Sequence, residues 1–298
     1  MKREMIFAMT AAVVLLSACS SESEESVFNG SAVEEETEVT LTFSPYEVSA
    51  MARQGGETTL HTTRAATSIS GIVTRLDVWI SEDGTVVEEV HQTKDDGDFG
   101  TVSVSLNRLK TYTLVAVGHR GSGSATLTDN VIAFPDDKTT HSMVYTTTFS
   151  PGTTTSLNCL MQRIVGQIVF EITDQVPDEA YTMQLALGTL NTRWNVSTSV
   201  SSNPVERTST FTNFSRNGDG TATFIVYAMP TNLTDTDHIG LTVTALNAGG
   251  DAIETKTFAD VPVKAGYRTT YRGQFFTTTG ETAGFTVEEW SDFDVIEY

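Results

Sequence analysis

Beyond residue 38 the chain alternates apolar and polar residues with a period of two. Val39-Thr-Leu-Thr-Phe43 shows it first, followed by Ile72 to Ile80, Val102 to Leu106 and Tyr112 to Val117. Ile164 to Ile172, Tyr181 to Leu187, Thr223 to Met229, Leu241 to Leu246 and Tyr267 to Phe275 repeat it. Side chains along a strand point to opposite faces in turn, so this period predicts half-buried strands, and the abundant Thr and Val suit them. Turn-forming residues separate the runs: Glu82-Asp83-Gly84, Asp95-Asp96-Gly97, Asn217-Gly218-Asp219-Gly220 and Ala248-Gly249-Gly250. No amphipathic helix of any length interrupts them. The pattern predicts an all-β protein built of sandwiches.

Length and punctuation suggest two such units. The residues after 64 exceed what one small sandwich needs. The polar stretch Phe149-Ser150-Pro151-Gly152-Thr-Thr-Thr155 interrupts the strands near the middle. It predicts a first sandwich over 65–155 and a second over 156–298, opening with the apolar run Leu157 to Ile172.

The first residues have a different character. Lys2 and Arg3 precede an almost unbroken apolar run from Met5 to Leu16. Spanning a bilayer takes about 20 apolar residues, so this run is too short for a transmembrane helix. It has the length of the apolar region of a signal peptide, here 1–18. Leu16-Ser17-Ala18-Cys19 resembles the lipobox of bacterial lipoproteins, where small residues admit the peptidase and the thiol of Cys19 takes the lipid. The implied anchor is lipid in the outer membrane.

Charge narrows the partners. The chain has 18 Lys and Arg against 38 Asp and Glu, a net charge of -20. Such a balance repels phosphate backbones and anionic headgroups, which argues against nucleic acid as a partner. Glu22, Glu24, Glu25, Glu34, Glu35, Glu36 and Glu38 crowd together without a base among them, and 19–38 reads as an acidic tether. Cys19-Ser20-Ser21-Glu22-Ser23-Glu24-Glu25 also resembles the acidic signals that send some lipoproteins to the cell surface.

Candidate chemistry is sparse. Only Cys159 remains once Cys19 is lipidated, and its apolar setting predicts a small buried hydrophobe. His61, His91, His119, His141 and His238 lack metal-ligand spacing. The Asp-Asp-Gly-Asp and Asn-Gly-Asp-Gly segments read as turns rather than calcium loops. No nucleophile elbow, phosphate loop or paired-carboxylate motif is present, so neither an enzyme nor a cofactor is expected.

Several segments together resemble the fimbrillin family, the subunits of type V pili. Thr62-Thr63-Arg64-Ala65-Ala66 and the following Ile72-Val73-Thr74-Arg75-Leu76-Asp77-Val78-Trp79-Ile80 are similar to the family's protease-cut segment and the strand after it. Leu160-Met161-Gln162-Arg163-Ile164-Val165-Gly166-Gln167-Ile168 resembles the opening of the family's second domain. Val263-Lys264-Ala265-Gly266-Tyr267 and Phe285-Thr-Val-Glu-Glu-Trp290 resemble its late strands. The resemblance implies two transthyretin-like β-sandwich domains in tandem.

It also implies a mechanism. The segment 39–64 would hold an N-terminal strand and a propeptide, with Val39, Leu41 and Phe43 filling the first sandwich. An arginine-specific protease would cut between Arg64 and Ala65 and release the strand with the lipid. A strand of another fimbrial subunit would then fill the opening by β-strand addition. The implied donor is the C-terminal run with Phe285, Val287, Trp290, Phe293, Val295 and Tyr298, freed by Gly280 and Gly284. The protein would move from the outer membrane surface into a fimbrium that serves adhesion. Two alternatives stay open: an unprocessed anchor subunit, and a glycan-binding surface lipoprotein of a nutrient-uptake system. The latter would need exposed aromatics, and Trp79, Trp194 and Trp290 are the only tryptophans.

Overall fold

The computed structural model describes residues 35–46, 68–277 and 285–289. Strands dominate these residues, with short 3-10 turns at Ile69–Gly71 and Pro135–Asp137. The protein is an all-β fold of packed sheets.

The first sheet holds β1 (Glu36–Pro45), β2 (Arg75–Glu82), β3 (Thr85–Thr93), β4 (Thr101–Asn107), β5 (Tyr112–His119), β8 (Met143–Phe149) and β9 (Ser156–Arg163) in the order β3-β2-β5-β8-β9-β1-β4. Between β8 and β9 only Met143↔Arg163 and Val144↔Gln162 pair. That narrow hinge lets the sheet fold over on itself. Leu76, Val78, Ile80, Leu114 and Ala116 from one side then share a core with Val39, Leu41, Phe43, Val102 and Val104 from the other. The result is a sandwich.

A second sandwich follows. One layer is β13 (Ala222–Ala228), β10 (Gly166–Ile172), β16 (Tyr267–Gly273) and β17 (Phe285–Glu289), in that order. The other contains β15 (Ala252–Val263), β14 (Asp237–Leu246) and β11 (Thr182–Asn195), with β12 (Val200–Thr212) also paired to β11. Ile168, Phe170, Phe224 and Tyr271 of the first layer meet Met183, Leu185, Leu241 and Val243 of the second. Phe170 stacks on Tyr271 with ring centroids 4.4 Å apart.

The two sandwiches are tied by more than a linker. The short strands β6 (Thr126–Thr128) and β7 (Val131–Ala133) leave the first half, and β7 pairs with the far end of β11. A register shift between Ala186 and Thr189, with Gly188 at φ 66, lets β11 serve β14 at one end and β7 at the other. A third core lies at this seam, where Trp79, Val117, Phe134, Ile164, Val165, Trp194 and Met229 are buried together. Both of these tryptophans are therefore structural. They are closed to the sugar stacking that a glycan-binding protein would require.

The apolar run Leu157 to Ile172 divides into two strands. β9 stays in the first sheet, the chain turns through the buried Ile164 and Val165, and β10 opens the second sandwich at Gly166. The polar stretch 150–155 is thus the turn from β8 to β9 within one sheet. A run of apolar residues cannot report this exchange of partners, because both strands and the turn are buried.

Candidate functional site

β1 alternates strictly, and the sandwich uses that alternation. Val39, Leu41 and Phe43 point inward with at most 3% of their surface exposed, while Glu36, Glu38 and Thr42 face solvent. The strand lies between two others, antiparallel to β4 and parallel to β9. Val39 stands opposite Val104, and Leu41 lies between Val102 and Leu157. Phe43 lies beside Cys159, and its N–H donates to the Gly100 carbonyl at 2.8 Å. Thr40 N–H donates to Thr155 O at 3.0 Å, and Tyr46 N–H to Met161 O at 2.8 Å. Burying three such side chains contributes about 1.5–3 kcal/mol each before ordering costs.

The slot is shaped as well as apolar. Gly100 has φ +91, and a Cβ built there would lie 2.9 Å from Ile69 Cγ2. Ile69, in the 3-10 turn that follows residue 68, covers the same end of the slot and is buried. Cys159 is buried next to Phe43, and burial pushes its thiol up to about 12, so it is a neutral wall residue. At the N-terminal end Arg108 donates from its backbone N–H to Glu35 O at 3.0 Å, and its guanidinium meets the Glu35 carboxylate at 2.6 Å. That ion pair is solvent-exposed and adds little beyond position.

The expected donor segment is placed elsewhere. β17 pairs antiparallel with β16 as the edge strand of a different sheet, with Val287 opposite Thr269 and 47% exposed. Glu288 stands opposite Arg268, at 3.9 Å from its guanidinium. Asp174 fixes the chain shortly before this strand: its carboxylate accepts the N–H groups of Phe275, Phe276 and Thr277 at 2.8, 2.7 and 2.7 Å. Burial alone would raise the carboxyl of Asp174, but those three N–H groups hold it below the usual range. Cys19, Arg64, Ala65, Trp290, Phe293, Val295 and Tyr298 lie outside the described residues, as does the side chain of Phe285.

The histidines, dispersed in sequence, are gathered by the fold. Asp77, fully buried on β2, accepts from His91 Nδ1 at 2.6 Å, His119 Nε2 at 2.9 Å and Ala125 N–H at 2.8 Å. His119 Nδ1 in turn accepts from Gly121 N–H at 2.9 Å, which leaves Nε2 as the donor to Asp77. Burial would raise the Asp77 carboxyl, yet the hydrogen bonds from His119, Ala125 and His91 leave it lowered. The cluster joins three strands to the start of the β6–β7 hairpin. His141 Nε2 meets the Tyr227 hydroxyl at 2.6 Å across the seam between sandwiches. Among the described residues no group of three or more His, Cys, Asp or Glu side chains could hold a metal. Nothing in the pattern of residues singled out Gly100, Ile69 or Asp77. Cys159 did carry a signal, in the period of two through Leu157, Cys159 and Met161.

Known proteins match this architecture. A candidate cell adhesion protein from Bacteroides ovatus superposes with a TM-score of 0.50 at 14% identity, covering 86% of this chain and 99% of that one. A candidate cell adhesion protein from Bacteroides uniformis gives 0.45 at 14% identity, over 85% and 98%. A fimbrial assembly protein from Parabacteroides distasonis gives 0.45 at 10% identity, over 86% and 96%. At such identities the likeness to the Bacteroides ovatus protein is one of fold, and it extends over nearly the full length of that protein. No curated protein matches the sequence. The model of the family of unknown function DUF6562 matches residues 127–295, more than half of the chain, and this protein belongs to that family.

Proposed function

We propose that the protein is a structural subunit of a cell-surface fimbria, exported as a lipoprotein on Cys19 and assembled by protease-triggered strand exchange. One observation carries this reading. β1 sits in the interior of a sheet and fills its core, yet residues 47–67, with Arg53 and Arg64, separate it in sequence from the next strand-bearing part. A cut in that segment leaves β1 held by non-covalent forces alone. Its departure exposes apolar surface and two rows of backbone groups, on β4 and β9, and these favour the entry of another strand. The sequence resemblance to fimbrillins and the fold shared with a candidate adhesion protein support the same reading. The two sandwiches act as tandem units joined through the seam.

Three experiments test it. Arg64→Ala should leave the protein folded and exported but unassembled. Protein taken from sheared fibres should begin Ala65-Ala66-Thr67, and a lipidated Cys19 at its N-terminus would mean an anchor subunit instead. Cys19→Ala should lose a fatty-acid probe supplied to the cells. If the label persists, the lipidation assignment is wrong.

A further inference from the structure

The two layers of the second sandwich present unlike faces to solvent. On the layer of β13, β10, β16 and β17, the residues turned away from the core include two ion pairs, Arg272 with Glu171 at 3.7 Å and Arg268 with Glu288 at 3.9 Å. The layer of β12, β11, β14 and β15 carries no charge over the middle of its outer face. Strand register sets Thr210, Gln184, Thr244 and Thr255 in one row across it, and Thr208, Ala186, Thr242 and Thr257 in the next. Leu185 and Val243, which alternate with these residues, belong to the core, so both rows face outward. Thr208, Thr210, Thr255 and Thr257 are exposed. Charge returns beyond the rows, at Glu206 on β12 and at Asp251 before β15. Thr suits a strand, but strand preference does not keep charge off one layer while the other layer carries it. The hydroxyls of Thr242 and Thr257 meet at 3.2 Å, and those of Thr255 and Thr244 at 3.3 Å. Hydroxyls that bond one another along the sheet lose less when water leaves.

We infer that this hydroxyl face is a contact between copies of the chain, laid face to face between neighbouring fibres. The inference rests on the fimbrial reading above, and it concerns the sides of a fibre rather than the strand exchange along it. Charge selects the partner. A chain of net charge -20 repels its own copies over most of its surface, and a face without charge is where two of them can approach. A glycan suits the rows less well, because they offer no aromatic ring for a sugar to stack on and no charged group to fix its hydroxyls. Size sets the strength. Neighbouring strands lie about 4.8 Å apart and successive residues about 3.4 Å, so two rows over four strands cover roughly 300 Å². A stable pairing buries about 800 Å² on each partner. One such face cannot hold a dimer in solution, but many of them along two fibres can hold the fibres side by side.

Placing the same charge on each layer in turn tests this. Thr208→Glu together with Thr255→Glu adds a negative charge at each position on the hydroxyl face. Arg272→Glu makes the same change in net charge on the opposite layer. At raised salt, where long-range repulsion is screened, fibres of the native and Arg272→Glu chains should lie in bundles by electron microscopy. Fibres of the double variant should lie singly. Bundles that survive the double variant, or that Arg272→Glu abolishes equally, overturn the proposal. If the native chain forms no fibres, the fimbrial reading itself fails, and cross-linking of the uncut chain still judges the face. Thr244 lies near the middle of the rows. The Cys19→Ser, Thr244→Cys chain at high concentration should join to a second copy through a short bis-maleimide several-fold more than the Cys19→Ser, Arg272→Cys chain. Cys159 is buried in both. Equal joining at the two positions overturns the contact. So does loss of the Thr244→Cys product on adding a neutral polysaccharide, which would make a glycan the occupant.

Discussion

Each sandwich includes a strand that comes from far along the chain, and the two strands are held very differently. β1 enters the first sandwich at an interior position, paired on both sides and buried at Val39, Leu41 and Phe43. β17 joins the second sandwich at an edge, paired on one side, with Val287 half exposed. Loss of an interior strand strips pairing from two neighbours and opens the core. Loss of an edge strand only moves the edge inward by one. The first half is therefore the part of the molecule that cannot remain closed when its distant strand is gone.

The comparison can be broken most directly at Leu41. Leu41→Ala should cost about 2–5 kcal/mol, because it leaves a cavity between Val102 and Leu157. Urea unfolding of the uncut protein measures it. A loss below 1 kcal/mol would mean that β1 does not close the first core.

Acid tests the seam that joins the halves. Burial, with the nearby Arg120 and Arg163, lowers His141 from 6.5 to about 3. The unfolded chain therefore binds a proton in this window that the folded chain refuses. Stability should fall as pH drops from 6.5 towards 3, by up to about 1.4 kcal/mol for each pH unit, and His141→Gln should flatten that slope. Asp77 has the sign usual for a lowered carboxyl. Its contribution is present above the ordinary value of 3.8 and is lost below that, as the carboxyl takes up its proton. Melting curves at stepped pH would separate the two windows. A flat profile between pH 6.5 and 4 would contradict the buried neutral His141.

Gly100→Ala sharpens the description of the slot. A non-glycine residue at φ +91 is strained, and the new methyl group crowds Ile69. About 1–3 kcal/mol should be lost. The smallest effect is expected at the other distant strand. Val287→Ala should change stability by less than about 0.5 kcal/mol, as for other exposed positions. A loss there comparable to that at Leu41 would erase the contrast between the two strands.

How much of this was legible in advance depends on how local each feature is. The alternation in Val39-Thr-Leu-Thr-Phe43 named the buried face of β1 correctly, because side-chain direction along a strand follows from the backbone itself. Asp83-Gly84 was equally plain. Both residues take positive φ, 48 and 81, in the hairpin turn between β2 and β3. β3, β12 and β15 did not stand out, because strands at or near a sheet margin need no consistent apolar face. Val86 and Val87 are adjacent and both about 42–43% exposed, which is an edge pattern and not an alternating one.

By itself, then, the amino-acid order determined the all-β class, the turns and the inward face of the first strand. Periodicity and turn chemistry act over a few residues and need no partner. The tertiary structure alone decided that β1 lies between β4 and β9, that β9 and β10 part company at Gly166, and that Cys159 and Gly100 flank Phe43. It alone brought His91 and His119 to Asp77. Strand pairing joins residues distant in sequence, and many pairings satisfy the same alternation. Only the packing of a whole core selects among them.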